Sequence, residues 1–202
     1  MAKRCKSCNK LFKPTFNSLQ VVCGVSCSIA WANTSNAKEY TVKAFKDETR
    51  DKKKNHYDNN LQTQLSRTQK VFNKLRVLEE LKWFSDNEIE PECISCGKNK
   101  MDWCCGHFKT VGSSGIIRFD RKNTFLQCNR YCNMGLSGNI EGNKNTRGYK
   151  VGLVERFGDE EGKNIIEYCE SMKSPAKWDC QELIKFRKEC NEKIRELNKE
   201  LS

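Results

Sequence analysis

Two sets of cysteines have the spacing of metal ligands, and between the members of one set stands a histidine. Cys93-Ile-Ser-Cys96 and Cys128-Asn-Arg-Tyr-Cys132 are separated by 31 residues. Pairs at that distance tie two knuckles around one zinc, and four thiolates leave no open position for water. The ion expected there is structural, so any chemistry must lie between and just after the pairs. That stretch holds Gly106-His107-Phe108, then Asn123, then Asn133 directly after Cys132. A neutral imidazole on a metal-fixed scaffold can take a proton from water, and a divalent ion nearby can stabilise a pentacovalent phosphate. A short hairpin carrying the histidine, followed by a helix carrying an asparagine, would bring both to one scissile phosphate. The competing readings of His107 are a zinc ligand and a packed, hydrogen-bonded side chain.

The second set is Cys5-Lys-Ser-Cys8 and Cys23-Gly-Val-Ser-Cys27, with Phe12, Phe16 and Val21 between them as candidates for a tiny core. It reads as a zinc finger or ribbon that either contacts DNA or simply folds the N-terminus. The N-terminus shows no apolar leader, and no run reaches the length of a membrane span, so a reducing cytosol and zinc are expected rather than disulfides. Cys169, Cys180 and Cys190 lie at no ligand spacing and read as ordinary thiols.

A hydrophobic fraction of 37% in 202 residues is low for one large core, which leaves stabilisation to metal sites. The net charge of +11 is unevenly spread. Residues 1–36 carry +5, 37–82 another +5, 83–96 carry −4, 97–150 carry +7 and 151–202 carry −2. Positive blocks beside the cysteine motifs point to a polyanion, nucleic acid first. A generally solvated basic surface is the plainer alternative, and the Lys52-Lys53-Lys54 run is read that way.

The elements that must position these residues are mostly helices. From Asn36 to about Phe84 nothing breaks a helix, and Leu61, Leu65, Phe72, Leu75, Leu78 and Leu81 recur at helical spacing, giving a basic helix and then an amphipathic one. Val151 to Met172 reads as one helix. Trp178 to Leu201 reads as another, striped by Leu183, Phe186, Cys190, Ile194, Leu197 and Leu201, which is an internal packing face or a coiled-coil seam. The expected class is α+β: small zinc-stabilised modules joined and flanked by α-helices. The expected division is an N-terminal finger at 1–36, a basic helical linker at 37–90, a zinc-stabilised core at 91–150 and C-terminal helices at 151–202.

The motifs Cys-x-x-Cys, Gly106-His107-Phe108, Arg118-Phe119-Asp120-x-x-Asn123, Gln127-Cys128, Cys132-Asn133 and Ser137-Gly138-Asn139 resemble the NinG/Rap family of lambdoid phages. The resemblance runs over most of the chain. That family is similar to HNH, or ββα-metal, nucleases, so the resemblance implies an HNH-like, treble-clef centre. It implies a Mg2+- or Mn2+-dependent endonuclease that nicks branched DNA, including Holliday junctions and D-loops, in phage recombination within the infected bacterial cytoplasm. Carried over, His107 is the general base, Asn123 braces the hairpin, Asn133 binds the catalytic ion, and Asn139 closes a family motif. Lys109, Arg118, Arg121, Lys122 and Arg130 are expected on the DNA backbone. Two structural zinc ions are expected, together with a homodimer through helices at 61–84 or 178–201 and phage recombination proteins as further partners. At one place the chain departs from the pattern. Members often read Asp-Ala-Gly-His, whereas this chain reads Cys104-Cys105-Gly106-His107, leaving Asp102 or Asp120 as substitute ligands. The alternative function is a non-catalytic, zinc-dependent DNA-binding accessory protein.

Overall fold

The computed structural model describes residues 2–134, 140–144, 146–175 and 177–201. They fall into two compact units, 1–57 and 58–202, each described by itself. The expected linker at 37–90 divides between them, because its two helices do different work.

The first unit starts with a two-residue antiparallel ribbon, β1 (Lys3–Arg4) on β2 (Leu11–Phe12), whose register pairs Lys3 with Phe12. A tight turn after Cys5 returns the chain, with Asn9 at φ 62°, and Cys5 N–H bonds to the Lys10 carbonyl at 2.9 Å. Helices α1 (Val25–Ala32) and α2 (Ser35–Asp58) follow. The expected apolar core is not built. Phe12 and Val21 are half-buried and Phe16 is 84% exposed, while Cys5 and Ala37 are the only buried residues among the described ones. With so little apolar burial, the four cysteines must carry the fold of this unit.

The second unit is organised on α3 (Leu61–Asp86), which starts where the Asn60 side chain caps Thr63 N–H at 2.8 Å. Its stripe buries Phe72 and Leu75 against Leu183, Cys190 and Ile194 of α6 (Cys180–Glu200). The α6 stripe is therefore an internal packing face, and the two helices expected to carry a dimer cover each other's apolar sides. Between α3 and α6 lie two further pieces. One is an antiparallel hairpin, β3 (Trp103–His107) on β4 (Thr124–Cys128), which pairs Trp103 with Cys128 and His107 with Thr124. The other is a pair of helices, α4 (Tyr149–Phe157) and α5 (Asp159–Ser171). The single helix expected over 151–172 is broken at Gly158, whose φ of 83° suits glycine alone, and Asp159, Glu160 and Glu161 then favour a new helix N-terminus.

Polar side chains bind α3 to the hairpin. Arg76 Nη2 donates to the Thr124 carbonyl at 2.7 Å and Arg76 Nε to Thr124 Oγ1 at 3.0 Å. Glu80 accepts from Leu126 N–H at 3.1 Å, from Arg76 at 2.8 Å and from Arg156 of α4 at 2.6 Å. Arg156 in turn lies 4.1 Å from the centre of the Trp83 ring. Removing Glu80 would strip the buried Arg156 guanidinium of its carboxylate and Leu126 N–H of its acceptor, and leave Arg76 to Glu79 and Thr124. Glu80→Ala is expected to cost about 3–5 kcal/mol, read by urea unfolding followed by tryptophan fluorescence. A loss under 1 kcal/mol would mean that the network is dispensable.

Candidate functional site

The eight paired cysteines converge as their spacing required. In each set the four sulfurs lie within 4.8 Å of one another. Cys8 and Cys27 each stand 3.6 Å from Cys23, and Cys96 stands 3.9 Å from Cys128. Four sulfurs around a tetrahedral zinc at about 2.3 Å are separated by about 3.8 Å, so both sets could hold zinc. Backbone N–H groups already point at the sulfurs, as thiolates require: Cys23 N–H on Cys5 Sγ and Cys128 N–H on Cys93 Sγ, both at 3.3 Å.

The second cluster anchors one end of the hairpin, through Cys128, and His107 closes the other end. After Cys128 the chain turns through a short π-helix, Asn129–Asn133, which brings Asn133 back beside the strands. His107 and Asn133 line one cleft of about 210 Å³, together with Gln127, Thr110 and Ile140. Gly106 is required beside it. A Cβ there would lie 2.5 Å from Gln127 Oε1, and Gln127 instead crosses the strand to donate to Ser95 Oγ at 2.7 Å. Tyr149, fully buried, bridges the strands one step before His107: its hydroxyl donates to the Gly106 carbonyl at 2.9 Å and accepts from Phe125 N–H at 3.1 Å.

The imidazole is held rather than free. Its Nε2 lies 3.3 Å from the Arg118 carbonyl and 3.3 Å from Gln69 Nε2 on α3. Burial lowers its pKa below the ordinary histidine value, while hydrogen bonds to the backbone at Arg118 and Cys105 work the other way. His107 is thus held towards its neutral, proton-accepting form. Gln69, 38 residues away, carried no signal in the sequence.

Asn123 is completely buried and does not reach the cleft. Its side chain accepts from Lys109 N–H at 2.7 Å and donates to the Lys109 and Ile117 carbonyls, both at 3.1 Å. It ties both sides of the loop between the strands, and so positions the segment from which Arg118 holds His107.

The acidic candidates lie elsewhere. Asp102 precedes β3 at the Cys128 end, five residues from His107, which along an extended strand is about 17 Å. Asp120 is engaged with Lys122 N–H at 2.8 Å and with the Tyr168 hydroxyl at 2.6 Å. Neither lines the cleft, so neither replaces the missing carboxylate. Cys104 does not replace it either: its Sγ donates to the Gln127 carbonyl at 3.2 Å, and burial, aided by Cys128 and Cys93, pushes the thiol up to about 12. Among the described residues the cleft offers a histidine and neutral oxygens, which is not the donor set of a protein-held magnesium or manganese ion. The two metals expected from sequence therefore part company here, zinc fitting its residues and the catalytic ion not.

The basic candidates separate as well. Arg121 grips Glu79 with two nitrogens, Nη2 at 2.6 Å and Nε at 3.0 Å, and is not available to a phosphate without breaking that pair. Lys122 lies over the Tyr168 ring at 5.3 Å and Lys109 over Phe108 at 5.8 Å, both with charged ends able to reach solvent. Arg130 is exposed on the turn that carries Asn133. Arg118 lines a hollow of about 440 Å³ with Lys173 and Ser113, and its Nε is buried without a partner. Asn139, with the rest of its Ser-Gly-Asn motif, lies outside the described residues.

Fold and site together define a class: a helical protein with short hairpins and two four-cysteine clusters of metal-binding type. The chain belongs to the NinG family, whose profile, described as Bacteriophage Lambda NinG protein, matches residues 1–200. It is 30% identical over 106 residues to the protein ninG of Escherichia phage lambda, covering 52% of this chain and 47% of that one. The protein ninG of Salmonella phage P22 is 31% identical over the same share of each chain. The match thus spans about half the length of these relatives. No solved structure matches.

Asn123→Ala would leave the Lys109 N–H and carbonyl unpaired and take from the Ile117 carbonyl one of its two donors, the other being Asp120 N–H, an expected loss of about 3 kcal/mol in unfolding free energy with zinc content unchanged. Elemental analysis of the purified chain is expected to give about two zinc ions per molecule.

Proposed function

We propose that this protein is a structure-selective DNA endonuclease, with His107 as the general base that activates water. The observation that carries the reading is the convergence of His107 and Asn133 on one cleft beside a closed cysteine cluster. In the neutral ring only one of the two backbone hydrogen bonds, to Arg118 or to Cys105, can be donated, and the nitrogen that gives up the other holds the lone pair for the proton of water. Attack in line with the 3′ oxygen leaves a 5′ phosphate and a 3′ hydroxyl. Asn133 sits where it can position a phosphate, and Lys109, Lys122, Arg118 and Arg130 supply backbone contacts that select shape rather than base sequence. Branched DNA of the recombination type is the proposed substrate, on the strength of the family resemblance. Magnesium or manganese is the requirement that the family resemblance implies, and the described cleft supplies no carboxylate that would hold it.

The absence of a carboxylate from the described cleft favours a second reading, a non-catalytic DNA-binding accessory protein. A labelled four-way junction incubated with magnesium or manganese distinguishes the two. The nuclease reading expects nicks from the wild type and a loss of about 10²–10⁴-fold in rate for His107→Ala, with junction affinity and zinc content intact. A variant that cuts at the wild-type rate removes His107 from the chemistry, and tight binding without products under either ion establishes the second reading.

The lowered pKa of His107 sets a pH expectation. Its protonation is centred below the ordinary histidine value, so the fall in rate on acidification should be centred below pH 6.5. A fall centred above 6.5 would place a different group in the role.

A further inference from the structure

The first unit carries most of the protein's charge, with twelve basic against four acidic side chains in residues 1–57, a net +8 of the total +11. On the same unit the large apolar side chains point outward. Phe16 is 84% exposed, Leu19 75%, Phe45 70% and Val42 53%. Leu19, from the loop between the cysteine pairs, and Phe45, on α2, face one hollow of about 900 Å³. Its polar end holds Asn55, Asp51 and the Glu48–Lys52 ion pair, 2.6 Å apart. Lys43 and Lys46 flank Phe45 along the helix, exposed and without an ion pair among the described residues.

We infer that this face binds unpaired nucleic-acid strand, with a base laid on Phe45 and phosphates on the neighbouring Lys43 and Lys46. Charge complementarity selects a polyanion, and the exposed rings select among polyanions. A duplex keeps its base faces stacked and offers only phosphates and groove edges. An unpaired strand offers phosphates and free base faces together, and base-on-aromatic stacking tolerates any sequence. The carboxylates at the end of the hollow would repel a phosphate but accept from the amino groups on base edges. The inference stands apart from the proposed cleavage chemistry, because it is read as binding, without added divalent ion.

The test uses the full chain with bound zinc and fluorescence anisotropy on a labelled twenty-residue oligothymidylate and a duplex of equal length, at several salt concentrations. Wild type is expected to prefer the single strand. Phe45→Ala, at a site too exposed to affect folding, is expected to weaken single-strand binding by about tenfold or more while duplex binding changes less than twofold. Phe45→Trp should restore it, and the salt dependence of all three proteins should be the same because no cation is removed. Equal losses on both ligands, or unchanged single-strand affinity in Phe45→Ala, overturn the inference. So does a Phe45→Ala protein whose affinity is unchanged but whose sedimentation shifts from dimer to monomer, which would make the face a contact between copies.

Discussion

Glu80 is the interaction on which the second unit turns. A carboxylate at 5% exposure is costly to bury, and here the cost is met by three donors: a backbone N–H of β4 and the guanidinium groups of Arg76 and Arg156. A two-stranded hairpin is not stable alone in water, because one edge of each strand lacks partners. β4 gains those partners from a helix side chain rather than from a third strand, and on the same edge Ile94 N–H donates to the Leu126 carbonyl at 3.0 Å. The hairpin is thereby fixed to α3 at its centre, to the cysteine cluster at one end and to α4 through Arg156.

That arrangement explains how a histidine can be held so closely on so small a sheet. Three elements distant in sequence meet at its ring: β3 carries it, α3 supplies Gln69, and the loop braced by Asn123 supplies the Arg118 carbonyl. Each is itself tied down by bonds that do not involve the ring. The imidazole therefore inherits its orientation from a frame that would persist in its absence.

The cysteine clusters were legible because metal ligation demands short, regular spacing within each pair, and the α6 stripe because a buried helix face repeats every three or four residues. The hairpin carrying His107 also followed from the order of motifs, whereas the helix expected to carry an asparagine after it is, among the described residues, only the short π-helix Asn129–Asn133. What the sequence hid was polar. α3 buries Gln64, Thr68, Arg76 and Glu80, side chains that periodicity analysis assigns to solvent, and besides the pairs that Arg76 makes with Glu79 and Glu80 their partners lie 46 or more residues away. The break at Gly158 was visible only as a single glycine in an otherwise helical run. Asp102 read as a nearby carboxylate because closeness in sequence is not closeness along an extended strand. Phe16 read as core because aromatic residues between ligands usually are, whereas in this unit the cysteines leave nothing for it to pack on.

The tyrosine hydroxyl between the strands gives the hairpin two ends of different stiffness. At one end β4 is clamped by the sulfur of Cys128, while at the His107 end the rung between Gly106 and Phe125 passes through the Tyr149 side chain. Mechanically this is a cantilever, clamped at the cysteines and sprung at the tip. A hydroxyl that both donates and accepts can follow small changes in strand separation that a direct rung could not. The strand spacing at the tip is then set by a side chain of α4, while the other end takes its geometry from the cysteines.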